Sequence, residues 1–121
     1  MRILPAILAG AQQPVDPQSP DARRLDDQLT AAWKINLTAE PARAQAAFEQ
    51  IRLEAERLGL TRQVAASLRG MATVESSQER VASAKNLLQR ALDLYHLAGD
   101  ELGEARALRQ LGTMVGIQGE K

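Results

Sequence analysis

The sequence predicts an all-α protein, built as a right-handed stack of antiparallel helical hairpins. Three observations carry this prediction: an aromatic-poor composition, a series of helix start and stop signals without strand-like alternation, and an internal repeat. Only one Trp, one Tyr and one Phe occur in 121 residues, whereas β-strands favour aromatic and β-branched residues. A core built from alanine and aliphatic residues suits helices that approach each other closely.

The composition of the chain excludes several classes of function. The 15 basic and 15 acidic residues give a formal net charge of zero, so the chain lacks the cationic excess of nucleic-acid-binding proteins. No cysteine is present, which excludes disulfides, thiolate metal sites and a cysteine nucleophile. The length accommodates one compact domain or a short repeat array.

Residues 1–18 are predicted to form an N-terminal leader and linker. Arg2, a short apolar run and small residues before Gln12 are typical of the end of a signal peptide, and a disordered apolar leader is the alternative. This run is too short to span a bilayer. The localisation is therefore exported or periplasmic if residues 1–11 are a signal peptide, and cytoplasmic otherwise.

The helix start signals follow one another along the rest of the chain. Ser19-Pro20-Asp21 combines a capping hydroxyl, a proline in the first turn and an acid at the positive helix end. The later helices are predicted to be capped by Thr38, by Thr61, by a capping box of Ser76 with Glu79, and by Asp100. Gly59 and Gly99 are predicted helix ends. Because each junction is only a few residues long, neighbouring helices are expected to pack antiparallel.

Each predicted helix carries apolar residues at helical spacing, and we expect them to face the core. In chain order these are Leu25, Leu29, Ala32 and Trp33; Ala44, Ala47, Phe48, Ile51, Ala55 and Leu58; Val64, Ala65, Leu68, Met71 and Ala72; Ala84, Leu87, Leu88, Ala91, Leu92 and Tyr95; and Leu108, Leu111 and Val115. Small residues such as Ala72, Ala84 and Gly112 are predicted to lie where two helices cross.

The chain repeats itself with a period of about 40 residues, which aligns Leu58-Gly59 with Ala98-Gly99. Small residues then align with small ones and large apolar residues with large ones. The aligned pairs include Ala44 with Ala84, Phe48 with Leu88, Ala65 with Ala105, Leu68 with Leu108, Arg69 with Arg109, and Thr73 with Thr113.

This repeat resembles that of the tetratricopeptide (TPR) family, whose pattern is Trp-x2-Leu-Gly-x2-Tyr on a first helix and Ala-x3-Phe on a second. The stretch Leu108-x2-Leu111-Gly112-x2-Val115 follows the first half, and Ala44-x3-Phe48 follows the second. The resemblance covers Leu25 to Val115 and is to the long-repeat variety. It implies a TPR-like α-solenoid of about two and a half repeats over residues 19–117, with a tail at 118–121.

The resemblance also implies a protein–protein interaction module without catalytic activity or cofactor. In the family, two residues of each first helix point into a concave groove where a partner protein or peptide binds. Here these positions hold Leu29 and Trp33, Arg69 and Thr73, and Arg109 and Thr113. Two arginines are suited to an acidic side chain or a terminal carboxylate of the partner, with Trp33 as an apolar neighbour. The alternative is that both arginines pair with Glu75, Glu101 or Glu104 and only solubilise the groove.

The remaining chemistry-bearing residues predict no catalytic or metal site. His96 is the only histidine, and without cysteine or a second histidine we interpret it as structural or exposed. Asp26 with Asp27, and Glu54 with Glu56, are interpreted as solvated helix faces, with a paired-carboxylate hydrolase site as the remote alternative.

The last predicted helix lacks a following partner helix. The repeat aligns residues 116–119 with residues 76–79, where a second helix is predicted to open. The far side of this helix would expose apolar residues, which invites association. The alternatives are a fragment of a longer array and a homodimer through this helix. The alternative function is a regulatory, sensory or oligomerising segment of a larger bacterial signalling or effector protein.

Overall fold

The structure is a computed structural model that describes the backbone of residues 19–119 and the side chains of residues 19–116. The predicted leader and linker, residues 1–18, lie outside the described residues. Five α-helices and no strand make up the described part, which confirms the all-α class. The helices are α1 Pro20–Trp33, α2 Pro41–Leu58, α3 Thr61–Ser77, α4 Val81–Ala98 and α5 Glu101–Gly119.

The third helix, α3, is the centre of the molecule and packs against each of the other four helices. It carries more buried residues than any other helix whose buried residues are described, including the polar side chains of Gln63, Ser67 and Glu75. Helices α1 and α5 both contact α3, so α1, α3 and α5 lie side by side, while α2 and α4 also pack on α3.

The direction of the helices follows from two contacts with the same sequence separation. Asp26 of α1 accepts hydrogen bonds from Arg62 of α3, and Trp33 of α1 contacts Arg69 of α3, each pair being 36 residues apart. Helices α1 and α3 therefore run parallel. Helices α1 and α2 are antiparallel, since Arg24 near the start of α1 pairs with Glu54 near the end of α2. Helices α2 and α3 are antiparallel as well, because Gln45 near the start of α2 donates to Glu75 near the end of α3.

The repeat period recurs in the helix boundaries. Helices α2 and α4 each have 18 residues and begin at equivalent repeat positions, Pro41 and Val81. Both end at a glycine in the left-handed conformation, Gly59 with φ of 71° and Gly99 with φ of 72°. Helices α3 and α5 likewise begin one repeat period apart. This packing of successive hairpins is compatible with a helical repeat.

The predicted apolar stripes of α1 to α4 are all buried or half-buried, as expected. On α5 the prediction is wrong for Leu108 and Val115, which are exposed. The buried face consists instead of Gly103, Ala107 and Met114. The backbone at Gly103 lies so close to Tyr95 that a side chain there would overlap its ring.

Helices α2 and α3 approach each other closely at Gly70, because a Cβ at this position would overlap the Phe48 ring. The predicted crossing at Gly112 is wrong, since a Cβ there would meet no atom within 4 Å. Ala72 and Ala84, the other two predicted crossing residues, are fully buried.

Two of the predicted caps are confirmed. The Ser19 hydroxyl accepts a hydrogen bond from the backbone N–H of Ala22 at 3.1 Å. The Asp100 carboxylate accepts one from the backbone N–H of Gly103 at 3.0 Å, in the first turn of α5. Thr61 is not a cap but the first residue of α3.

The other two predicted caps are wrong. Glu40, not Thr38, precedes α2, because the Asn36 side chain already accepts the Thr38 N–H at 3.0 Å and forms its own turn. Ser76 and Glu79 do not form a capping box at the start of α4, since α3 continues through Ser76 and ends at Ser77. Glu79 adopts a left-handed φ of 63° and ends the turn before α4.

Candidate functional site

The parallel helices α1 and α3 bring together a tryptophan at the end of α1 and an arginine in the middle of α3. The guanidinium carbon of Arg69 lies 5.0 Å from the centroid of the Trp33 ring, a cation–π distance. Arg69 Nη1 donates to the Gln110 side-chain oxygen of α5 at 3.0 Å, and its Nε donates a longer bond of 3.4 Å to the Tyr95 hydroxyl of α4. We call Trp33, Arg69, Thr73, Tyr95 and Gln110 the Arg69 cluster.

Gln110 and Thr73 connect the Arg69 side chain to the backbone of α3. The Gln110 amide donates to the Thr73 hydroxyl at 3.0 Å, and this hydroxyl donates to the Arg69 carbonyl oxygen one turn earlier, at 3.1 Å. Together with the bond from Arg69 to Gln110, these contacts close a ring of three residues across α3 and α5. Thr73 therefore reaches the Arg69 guanidinium only indirectly, through Gln110.

Trp33 is held in place by the core beneath it. Its ring meets the fully buried Phe48 ring edge to face, with centroids 5.2 Å apart. The Trp33 side chain itself remains half-buried, so one part of the ring packs on the core and another contacts Arg69. Leu29, which the sequence places beside it in the groove, is buried instead.

The positive charge of Arg69 has no carboxylate partner among the described side chains. The alternative predicted from sequence, that Arg69 pairs with a nearby glutamate, is wrong for Glu75 and Glu104, which contact other residues. Glu75 pairs with Arg80 at 2.8 Å, and Glu104 lies against His96. Arg69 is half-buried with only neutral partners, which leaves its charge partly desolvated and not neutralised.

Most other arginines of the described region form ion pairs. These are Arg24, Arg43, Arg52, Arg57, Arg62 and Arg80. Arg69 thus differs from them in being both half-buried and without a counterion. A carboxylate or phosphate group arriving at this site would supply the missing charge.

Arg109 and Thr113 are not part of the Arg69 cluster. Both are exposed on α5, and the Thr113 hydroxyl donates to the Arg109 carbonyl oxygen at 3.0 Å. The Arg109 guanidinium has no ion-pair partner within the described residues. Of the residues predicted from sequence, the structure brings together Trp33, Arg69 and Thr73.

Sequence reasoning missed Gln110 and Tyr95. The repeat aligns Gln110 with Gly70, so a comparison of equivalent positions indicates no side chain there. Tyr95 aligns with Ala55 and was predicted only as a core residue. Both join the cluster through contacts between helices, which spacing along one helix does not reveal.

Of the four other carboxylates that the sequence singles out, Asp27 is exposed, and the remaining three bond to arginines. Asp26 accepts from Arg62 at 2.9 Å and from the buried Gln63 at 3.0 Å, so it is a joint between α1 and α3 and not a solvated face. Glu54 pairs with arginines of α1 and α2, and Glu56 with one of α2. This arrangement favours a structural role over a paired-carboxylate site.

A second polar cluster surrounds Glu75 near the end of α3. Its carboxylate accepts two hydrogen bonds from Arg80, at 2.8 and 3.0 Å, and a longer one from Gln45. The hydrogen bond from Arg80 is the main cause that lowers the pKa of this buried carboxyl group. The cluster ties α2, α3 and the turn before α4 together.

His96 is exposed at the end of α4, with Glu104 as its partner. Within the described residues no three metal-binding side chains lie close enough to hold an ion. Among the helices described, none combines the length and apolar character of a membrane span.

Comparison with known proteins identifies no relative. The chain matches no protein-family model, no curated protein and no solved structure.

Proposed function

We propose that this chain is a TPR-like protein-interaction module: a right-handed stack of about two and a half hairpins that binds a partner without catalysing a reaction. The recurrence of helix boundaries at the repeat period and the side-by-side placement of α1, α3 and α5 support this proposal. In such a stack, α1, α3 and α5 line the concave surface on which repeat proteins hold their partners.

The single observation that carries the proposal is the half-buried Arg69 without a counterion. Its guanidinium lies over Trp33 and donates only to neutral oxygens of Gln110 and Tyr95. A carboxylate of a partner peptide takes the place of these weaker acceptors and forms charge-assisted hydrogen bonds, each contributing about 1.5–3 kcal/mol. The partner is therefore a peptide or protein segment with an acidic side chain or a free carboxyl terminus at this point.

The surroundings of Arg69 add apolar contact and rigidity. Trp33 offers the exposed part of its ring beside the charge, and its other side is fixed by Phe48. Every member of the cluster stands on a helix, so little conformational freedom remains to be lost on binding. Arg109, exposed on α5 one residue before Gln110, adds a second positive charge to the approach of an acidic partner.

Selection from a random peptide library tests this proposal. The wild-type chain and the Arg69→Gln variant are used as separate baits, with Arg106→Gln as a control that removes one exposed positive charge outside the Arg69 cluster. We expect wild-type and Arg106→Gln to enrich the same carboxylate-bearing peptides, and Arg69→Gln to lose them. Enrichment of uncharged peptides, or equal enrichment by all three baits, would place the binding site elsewhere.

An apolar surface on α5, separate from the polar Arg69 cluster, favours a second candidate role. Leu102, Leu108 and Val115 of α5 are all more than half exposed, and an exposed apolar surface is suited to association with another protein surface. This exposure supports an oligomerising segment, as in a larger signalling or effector protein.

A further inference from the structure

We infer that the Tyr95 hydroxyl donates a hydrogen bond to the anion that Arg69 binds, and that this anion is a carboxylate and not a phosphate. The inference rests on the carboxylate binding proposed for Arg69 and names the second group that recognises the anion. Two observations carry it: the path of the Tyr95 side chain between the helices, and the hydrogen-bond donors around Arg69 that have no acceptor.

The Tyr95 side chain extends from α4 past α5 to α3. Its ring lies against the backbone of Gly103 in α5, where a Cβ would overlap it. Its hydroxyl accepts a long hydrogen bond of 3.4 Å from Arg69 Nε in α3. The lack of a side chain at Gly103 therefore leaves the space through which a residue of α4 reaches the Arg69 guanidinium.

The preceding hairpin contains a similar arrangement without a hydroxyl. The Phe48 ring of α2 lies against Gly70 of α3 and meets the Trp33 ring of α1. A phenyl ring is thus sufficient to fill the space beside a glycine of the neighbouring helix. Packing against Gly103 does not account for the hydroxyl of Tyr95.

Tyr95 and Arg69 each carry a donor that is not used within the described residues. Tyr95 is only 3% exposed, and a buried phenol normally donates its proton to a partner, yet no described atom accepts it. Arg69 Nε and Nη1 have acceptors, whereas Nη2 has none in the described part of the chain. An acceptor supplied by a ligand would satisfy both donors.

The two unused donors belong to neighbouring positions of the guanidinium. The N–H of Nε and one N–H of Nη2 are parallel, which is how arginine binds two oxygens side by side. The Tyr95 oxygen occupies the Nε position. An oxygen that accepts from Nη2 therefore lies within hydrogen-bond reach of the Tyr95 hydroxyl, which donates to it while still accepting from Nε.

The charge of the cluster favours a carboxylate over a phosphate. Arg69 is the only charged member, beside the neutral side chains of Trp33, Thr73, Tyr95 and Gln110. It neutralises the single charge of a carboxylate. A phosphate monoester carries a charge of about −1.5 to −2 near pH 7, and the excess would remain unpaired in a half-buried site.

Nuclear magnetic resonance tests the inference with two small anions, acetate and inorganic phosphate. Because Tyr95 is the only tyrosine, ¹³C at the ring carbon that bears the hydroxyl gives one resonance from this site. At constant ionic strength near pH 7 we expect acetate to shift this resonance saturably, and phosphate to bind roughly fivefold more weakly or less. Arg69→Gln should abolish the response. Arg106→Gln, which removes an exposed charge outside the Arg69 cluster, should keep it.

Replacement of the only tyrosine by 3-fluorotyrosine distinguishes a donor to the anion from a residue that only positions Arg69. Fluorine beside the hydroxyl makes the O–H a stronger donor and its oxygen a weaker acceptor. We expect the fluorinated chain to bind acetate roughly twofold more tightly, whereas a hydroxyl that only accepts from Arg69 would give equal or weaker binding. Tyr95→Phe should weaken acetate binding about tenfold, measured by Trp33 emission. Circular dichroism checks that both proteins remain folded.

The outcomes separate this inference from the proposed function. Acetate binding that Tyr95→Phe and fluorination leave unchanged overturns the role of the Tyr95 hydroxyl, while carboxylate binding at Arg69 stands. Phosphate binding as tight as that of acetate overturns the preference for a carboxylate. The absence of any saturable response to acetate overturns the whole inference, and library peptides that still depend on Arg69 would then keep the interaction module. Acetate binding without any enriched peptide would instead contradict the interaction module and leave the anion site.

Discussion

The guanidinium carbon of Arg69 lies 5.0 Å from the centroid of the Trp33 ring, although the two residues belong to different repeats. The parallel, in-register packing of α1 and α3 creates this contact. Because Trp33 is the only tryptophan of the chain, its fluorescence reports on this one site without interference.

We expect Arg69→Ala to shift the emission of Trp33 to longer wavelength, since loss of the guanidinium admits water to the ring. Arg109→Ala is the matched control, because the exposed Arg109 holds the equivalent repeat position and lies outside the Arg69 cluster. Emission spectra of the folded variants measure the effect. Identical spectra for Arg69→Ala and wild-type would show that the contact is not made in solution.

Two glycines on neighbouring helices, Gly70 of α3 and Gly112 of α5, are expected to respond to substitution in opposite ways. Gly70→Ala should destabilise the fold by about 1–3 kcal/mol, because the new methyl group overlaps the Phe48 ring. Gly112→Ala should stabilise it by up to about 1 kcal/mol through helix propensity, since nothing lies within 4 Å of the added carbon. Urea unfolding at a dilution that keeps the chain monomeric gives both values, and equal midpoints would contradict the described crossing.

Ser19 and Thr38, which the sequence alone predicts as helix caps, are expected to differ in their contribution to stability. Ser19→Ala should lower the free energy of unfolding by about 1 kcal/mol, because the hydroxyl accepts a hydrogen bond from the Ala22 N–H in the first turn of α1. Thr38→Ala should change the free energy of unfolding by less than about 0.5 kcal/mol, since no cap bond from Thr38 reaches α2. A larger loss for Thr38→Ala than for Ser19→Ala would reverse the assignment of the caps.

The Glu75 carboxylate is expected to make stability depend on pH. Its folded pKa is lowered, chiefly by the hydrogen bond from Arg80, so its contribution is present above the unfolded pKa of about 4.3 and is lost as pH falls through the lower folded value. Glu75→Gln removes this contribution. The gap in unfolding free energy between wild-type and Glu75→Gln should therefore be largest near pH 7 and shrink as the pH falls below about 4.3.

Urea unfolding at pH 7, 5 and 3 measures that gap, and subtracting the variant from wild-type removes the effect of the other carboxylates. A gap of constant size across the three pH values would mean that the bond from Arg80 to Glu75 does not form.

The sequence predicts the helices well because their signals are local. Gly59 and Gly99 end α2 and α4 as expected, and Ser19 caps α1. The start of α4 was placed too early because Ser76 and Glu79 have the spacing of a capping box. Helix α3, which packs against all four other helices, instead continues through Ser76 to Ser77, and a local motif does not record this tertiary packing.

The site was predicted in part because the repeat fixes which residues share a face, but not what each one contacts. Arg69 and Arg109 hold the same repeat position, yet Arg69 lies among contacts from three other helices and Arg109 is exposed. The difference arises because α3 has neighbours on both sides, whereas in the described residues α5 has them on one side only. Gln110 was missed because its equivalent is a glycine.

The central claim, that the Arg69 cluster binds a carboxylate of a partner, is tested most directly by titrating the chain with the most enriched peptide of the library selection. Trp33 fluorescence is the signal, and an analogue with Asp and Glu replaced by Asn and Gln and an amidated terminus is the control. A loss of about 1.5–3 kcal/mol of binding free energy corresponds to roughly a tenfold to hundredfold weaker affinity. We expect this loss both for the analogue with wild-type and for the acidic peptide with Arg69→Gln, and weaker binding at higher salt. Equal affinity of wild-type and Arg69→Gln for the acidic peptide would contradict the claim.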